Sequence, residues 1–350
     1  MTTLHRVAEV TKKLGIGFGI GMLCILFIVV SIRMFTSFKE SLFPTPPPPP
    51  TVSFGKLPKI LFPIATIPLP SFTINTVSGS LPTFDDRETV YRIQLPQTTF
   101  SNLDKAKTLA ASNNFPGDPS RVSDTIYEWK NTAPINQSLT LNIQTFDFTY
   151  TTDYVNNPQV LSATALGTPS DAITSLTNFF TSFIGNLPSD VDTTKTQTSL
   201  FSVQNNALVP AISLSNAQII RVDFYQGDIN NLPIYYPHFP ESLISGLIAS
   251  GDSNQAVVAA TYIHKIIDDT SNATYPIITA QEAVDMLKKG QGFVANYDTP
   301  TKPVIIRNIS LGYYISDDPG QQYLMPIVVF QGDNNFYAFV SAIRSEWVQK

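Results

Sequence analysis

Cysteine is almost absent from this 350-residue chain: Cys24 stands alone, and no thiol follows it. Nothing downstream of Cys24 can be stapled by disulfides, and thiol chemistry is excluded there. Histidine is nearly as scarce, with only His5, His238 and His264. The one carboxylate at ligand spacing is Asp268, a helical turn after His264, and a pair of that kind reads as a surface hydrogen bond rather than a metal site. Charge is thin as well, at 14% of residues and −5 net, with no basic block beyond the amino-terminal flank. Phosphate binding needs clustered Lys and Arg, so nucleic acid is excluded as a partner. No G-x-S-x-G elbow is present to support serine hydrolysis.

Paired acids occur at Asp85-Asp86, Asp268-Asp269 and Asp317-Asp318. Neighbouring side chains diverge, and each pair lies near a turn or element end, so solvated turn residues are expected rather than general acid/base pairs. Asp317-Asp318-Pro319-Gly320 lacks the spaced oxygen ligands of a calcium loop. Catalytic, cofactor and metal residues are therefore all assigned as none.

What the chain does have is one long apolar run. Leu14 to Ile32 (LGIGFGIGMLCILFIVVSI) carries no charge and is flanked by Lys12-Lys13 and Arg33. As a helix it covers roughly 28 Å, close to a bilayer's hydrocarbon thickness. No A-x-A-like site follows it, and bulky Leu23 precedes Cys24, so an uncleaved, unlipidated single-pass anchor is expected. Arg6, Lys12 and Lys13 favour a cytoplasmic amino terminus, with the remainder extracytoplasmic in the cell envelope. Gly15, Gly17, Gly19 and Gly21 make two overlapping GxxxG spacings, which would let a partner helix, including that of a second copy, approach closely.

Prolines then accumulate: Pro44, Pro46 to Pro50, Pro58, Pro63, Pro68, Pro70 and Pro82. Residues 1–13 are expected as a cytoplasmic tail, 14–32 as the anchor and 33–82 as a stiff proline-rich stalk. Apolar residues make up 43% of the whole chain, rich enough for the region beyond the stalk to bury a core.

Caps and periodicity predict helices starting at Ser101, Thr168 and Thr279. The second has Ile173, Leu176, Phe179, Phe180 and Phe183 on one face and exits at Gly185. The third has Ala280, Ala283, Val284 and Leu287, closed by Gly290. A fourth helix is expected over about 253–267. Strands are expected at 138–151, 217–226, 304–316, 323–330 and 336–343, the last two joined across Gly332-Asp333-Asn334-Asn335. Leu232 to Phe239 (LPIYYPHF) reads as a Pro-bracketed strand with its tyrosines inward, or else as an exposed aromatic contact patch. Helices followed by groups of antiparallel strands favour an α+β class, built of recurring helix-plus-sheet units over 83–270 and 275–346.

Three stretches of the last unit carry a resemblance: Ile277 through Leu287, then Ile309-Ser310-Leu311-Gly312-Tyr313-Tyr314, then Tyr323-Leu324-Met325-Pro326 with the hairpin to Ala342. Residues 277–343 resemble YycI-type accessory proteins and the related PepSY-like domains. That resemblance implies one membrane helix, a PepSY-like α+β ectodomain and non-catalytic regulation of an envelope partner protein. The expected role is thus a membrane-anchored regulatory or interaction module. The rivals are a tethered envelope hydrolase and a small-molecule sensor or binding domain.

Overall fold

The computed structural model describes residues 18, 21–23, 25–35, 49–64, 66–132, 135–161, 166–249 and 256–349. It divides into two units, Met1–Pro49 and Pro50–Lys350.

In the first unit Phe18, Gly21–Leu23 and Ile25–Phe35 are helical. Their large side chains are exposed, Phe27 at 73% and Ile25 at 64%. The anchor expectation is corrected here. Among the described residues no helix is long and apolar enough to cross a membrane. The transmembrane, single-pass assignment and the cell-membrane location built on it are therefore not supported. Gly15, Gly17, Gly19 and Cys24 lie outside the described residues; Gly21 is helical, with open space where a side chain would stand.

The second unit corrects the fold class. It is mostly β, with 17 strands in two large sheets and four α-helices beyond Pro50 among the described residues. It is not a PepSY-like α+β array of helix-plus-sheet units. In chain order come β1 (Phe72–Ile74), β2 (Arg87–Ile93), α1 (Asn102–Ser112), β3 (Ser120–Arg121), β4 (Ile126–Asn131), β5 (Gln137–Asn142) and β6 (Phe148–Thr152). Next are α2 (Pro158–Leu161), α3 (Pro169–Ile184), β7 (Val191–Gln204), β8 (Ala207–Pro210), β9 (Ile219–Gln226), β10 (Ile234–Tyr235), β11 (Ile244–Ala249) and β12 (Ala256–Tyr262). The chain closes with β13 (Ile267–Pro276), α4 (Ala280–Lys288), β14 (Phe293–Asn296), β15 (Val304–Tyr314), β16 (Tyr323–Gly332) and β17 (Phe336–Ser341).

The nine-stranded sheet runs β3-β4-β5-β6-β12-β11-β9-β7-β8 and is antiparallel at every pairing. One face is covered by α1 and α3, whose Ala106, Ala110, Leu176, Phe180 and Phe183 meet Trp129, Leu139, Leu141 and Phe148. α3 begins as its sequence predicts: Thr168 accepts from the Asp171 N–H while Asp171 answers back to the Thr168 N–H, and Gly185 leaves at φ +81°. α1 starts where expected, yet Ser101 makes no side-chain cap bond.

The eight-stranded sheet is built on β1-β15-β16-β17-β14, with β10 added to β15 and β2 bridging β16 and β13. Its interior strands are buried on both faces. Val328 and Phe330 point to the α4 side with Ala283, Val284 and Leu287, while Ile327 and Val329 point to the other side with Tyr235, Phe293 and Phe339. The Asp333–Phe336 hairpin forms with Asn334 at φ +56° and Asn335 at φ +53°, the signature of a type I′ turn.

Two further expectations fail. The fourth helix is instead strand β12 and the start of β13, because alternate residues Val258, Ala260 and Tyr262 enter one sheet. Leu57, Phe62 and Phe72–Ile74, in a proline-bearing segment expected within the stalk, pack on or pair with the eight-stranded half. Leu57 is fully buried and bridges Val348, Phe62 stacks on Phe293, and β1 pairs parallel with β15.

Candidate functional site

The LPIYYPHF stretch turns inward. Ile234, Tyr235 and Tyr236 are all buried, and the Tyr236 hydroxyl accepts from the Gln226 N–H at 3.1 Å. It therefore offers no aromatic contact patch. The edges of the nine-stranded sheet are blunt too: β3 is two residues long and β8 ends on Pro210.

A cleft does form where three separated segments meet. Strand β15 ends at Tyr314, and the chain returns to β16 through 315–322. Gln321 closes that loop: its Oε1 accepts from the Ser316 N–H at 2.8 Å, and its Nε2 donates to the Tyr314 and Tyr323 carbonyls at 2.9 and 3.1 Å. The Asp318 carboxylate accepts the Gly320 N–H at 2.8 Å, fixing the tip. The facing wall is residues 54–61. It is pinned by the Leu57 N–H on the Trp347 carbonyl at 2.8 Å, by the Gln349 N–H on the Leu57 carbonyl at 2.8 Å, and by the Tyr275 hydroxyl on the Gly55 carbonyl at 2.9 Å.

Between these walls lies a cleft of about 380 Å³ lined by Phe54, Lys56, Lys59, Tyr314, Asp318 and Tyr323 among others. Phe54 and Tyr323 are in ring contact at 5.2 Å, and the Arg92 guanidinium lies 5.8 Å from each ring centre. Lys56 and Lys59 have exposed side chains and no ion-pair partner among the described residues. Tyr314 is 1% exposed and its hydroxyl has no hydrogen-bond partner among the described residues. Burial, helped by the Asp317 charge, pushes that phenol well above its ordinary range, so it stays protonated and can donate. The other orphaned buried atoms, Trp129 Nε1, Gln226 Oε1 and Thr299 Oγ1, belong to residues that do not line this cleft. Two exposed ammonium groups and a residue with a buried, unpartnered phenol thus line one cleft together with aromatic rings.

A second polar cluster sits at the crossover from β12 to β13. His264 Nε2 lies 2.8 Å from Asp190 Oδ1, so its partner is Asp190 and not Asp268. Burial alone would raise the Asp190 carboxyl; the His264 hydrogen bond and charge, with the Gln226 amide, hold it below its ordinary value. Lys265 is 2% exposed; its Nζ donates to the Asp318 carbonyl at 3.0 Å and stands 3.9 Å from Asp147. Burial pulls that ammonium below the usual lysine range, against the opposing pull of Asp147, Asp318 and Asp317. Asp147 also accepts the His264 N–H at 3.1 Å and the Thr145 hydroxyl at 2.8 Å. These groups bond to one another and to backbone, which joins the two sheets rather than presenting a reactive group.

The remaining acids behave as turn and ion-pair residues. Asp86 is held by Arg87 at 2.7 Å, and Asp268 caps the Thr270 and Ser271 N–H groups at 3.1 and 3.2 Å. His238 lines a separate cleft with Asp223 and Glu241, but Arg221 grips both carboxylates, at 2.8 and 3.2 Å. Among the described residues no group of three or more His, Cys, Asp or Glu is placed to hold a metal ion. Lys56 escaped notice in the sequence although Ser53-Phe54-Gly55-Lys56 has S-x-x-K spacing. The stretch is a turn with Gly55 at φ +69°, not the helical turn that would set Ser against Lys.

Compared with known proteins, the chain matches no family model, no curated protein and no solved structure. The resemblance over 277–343 thus rests on those residues alone.

Proposed function

We propose that residues 50–349 form a recognition module that works by binding, without catalysis, through the cleft between residues 54–61 and the 314–325 loop. The observation that carries this reading is the set of uncommitted donors at one place: Lys56, Lys59 and the buried Tyr314 hydroxyl. A buried hydroxyl left unpaired costs about 1–3 kcal/mol, and a ligand acceptor is one way to recover it. The walls are fixed by backbone bonds, so little ordering is needed on binding.

A screen of small polar and apolar fragments against the isotopically labelled full-length chain tests this. Shifts should concentrate on resonances of Tyr314, Gln321, Gln322 and Tyr323. Fragments that scatter over the surface, or none that perturb these residues, would refute it.

A further inference from the structure

Charge balance inside the cleft points to a class of ligand. Among the residues that line the cleft, Lys56 and Lys59 supply two positive charges and Asp318 one negative, leaving a net charge of one; Arg92, 5.8 Å from the Phe54 and Tyr323 ring centres, is not a lining residue. The Asp318 side chain is committed to the loop through the Gly320 N–H, so its negative charge is a fixed part of the wall. A singly charged anion matches this set; a dianion meets the Asp318 carboxylate as well as the ammonium groups. Beside the donors stand Phe54, Ile60, Tyr323 and Met325, an apolar surface suited to a flat or branched body. A volume of about 380 Å³ falls near the lower end of ligand pockets, roughly 300–1,000 Å³.

We propose, resting on the reading of this cleft as the recognition site, that it binds a monocarboxylate carried on an aromatic or branched apolar body. The carboxylate accepts from Lys56, Lys59 and Tyr314, and the body lies against Phe54 and Tyr323. A free organic acid and the carboxyl terminus of a peptide ending in an apolar residue share that chemistry.

The test uses the full-length chain and four probes in titration calorimetry: 3-phenylpropionate, its neutral amide, phenyl phosphate, and N-acetylphenylalanine as the peptide-terminus mimic. The carboxylates should bind at least tenfold tighter than the amide and tighter than the phosphate. Tighter binding of N-acetylphenylalanine than of 3-phenylpropionate assigns the source as a peptide terminus; the reverse assigns a free acid. The Lys56→Gln/Lys59→Gln double variant should lose about tenfold. Tyr314→Phe should lose severalfold while the fold keeps or gains thermal stability, because the orphan hydroxyl is removed. A merely structural Tyr314 would not separate those two readouts. Equal binding of amide and carboxylate, or of wild type and the double variant, overturns the monocarboxylate assignment and leaves the cleft a binding site. Failure of all four probes together with failure of the fragment screen overturns both.

Discussion

The two sheets solve the same burial problem in opposite ways. The nine-stranded sheet is antiparallel throughout and rests its core face on α1, which directly precedes its first strand, and α3, which lies between its strands β6 and β7. The eight-stranded sheet gathers strands from residue 72 to residue 341, includes two parallel pairings, and buries both faces of its central strands. One is assembled from local meanders, the other from distant segments. Only the second has a cleft walled by both ends of the folded unit, near Lys56 and Gln349. Sites tend to arise where separate segments converge, because there the backbone cannot close every gap with its own ladder.

The crossover that joins the sheets is where the largest effect is expected. Asp147 holds the His264 N–H and faces buried Lys265. Asp147→Leu leaves a buried ammonium with one carbonyl partner and should cost about 3–5 kcal/mol in urea unfolding. The double variant Asp147→Leu/Lys265→Met removes both charges and should cost less than about 1.5 kcal/mol, or stabilise. Similar losses for the two would mean that Lys265 is not an isolated charge, and the joint would have to be reassigned.

Next come paired glycines, one in each sheet. A Cβ on Gly246 would stand 2.3 Å from a Leu176 methyl, the mobile end of a side chain. A Cβ on Gly312 would stand 2.4 Å from the Tyr235 ring and 3.0 Å from the Pro233 carbonyl, a rigid ring and a backbone atom. Both Ala variants overpack, at about 1–3 kcal/mol, and Gly312→Ala should be the costlier. The reverse order would show that the helix-covered face is the stiffer of the two.

Alkali acts on both sheets. Burial pushes Tyr150, in strand β6 of the nine-stranded sheet, and Tyr235 and Tyr236 up to about 12. Their folded values lie above the unfolded value near ~10, so the neutral phenols stabilise fully below about pH 10. That stability drains as pH rises from about 10 to 12, by up to ~1.4 kcal/mol per group per pH unit. Denaturant midpoints at pH 9, 10 and 11 should fall progressively, and Tyr150→Phe should soften the slope. A flat profile would mean that these phenols ionise in the folded state.

The same contrast governs what the sequence discloses. Thr168, Thr279, Gly185 and Gly290 act within a few residues of themselves, so the helix ends are readable. Leu139 and Leu141 alternate with Thr140 because one face of β5 meets the core, so that strand is readable as well. The Asp333–Phe336 turn is legible from Asn334-Asn335. The matching Asn205-Asn206 and Asn230-Asn231, at φ between +51° and +62°, were equally available signals and went unread. Long-range facts leave no such local mark. Pro58 and Pro63 look like spacer residues until Leu57, just before the first, proves buried and bridged to Val348, and Phe62, just before the second, proves stacked on Phe293. The β12 segment, AVVAATY, has helix-tolerant alanines, and its pairing with β6 and β11 decides the matter. The candidate site was illegible for the same reason: Lys56, Tyr314 and Gln349 meet only once the distant strands have assembled.

The smallest effect is the most even. α3, on the nine-stranded sheet, and α4, on the eight-stranded sheet, start with the same device, a threonine cap and an acid three residues on. Thr168 Oγ1 accepts the Asp171 N–H at 3.2 Å, and Thr279 Oγ1 accepts the Glu282 N–H at 3.2 Å. Thr168→Ala and Thr279→Ala should each cost about 1 kcal/mol. Besides Pro169 in the first turn of α3, an asymmetry is Arg344, which reaches Glu282 at 3.3 Å and ties the α4 cap to the carboxy-terminal end of the eight-stranded sheet. That pair is exposed and adds at most a few tenths of a kcal/mol. If the Thr279→Ala loss exceeds that of Thr168→Ala by more than about 1 kcal/mol, and Arg344→Ala abolishes the excess, then even helix initiation in the eight-stranded half depends on distant chain. Equal losses would confine that dependence to the strands.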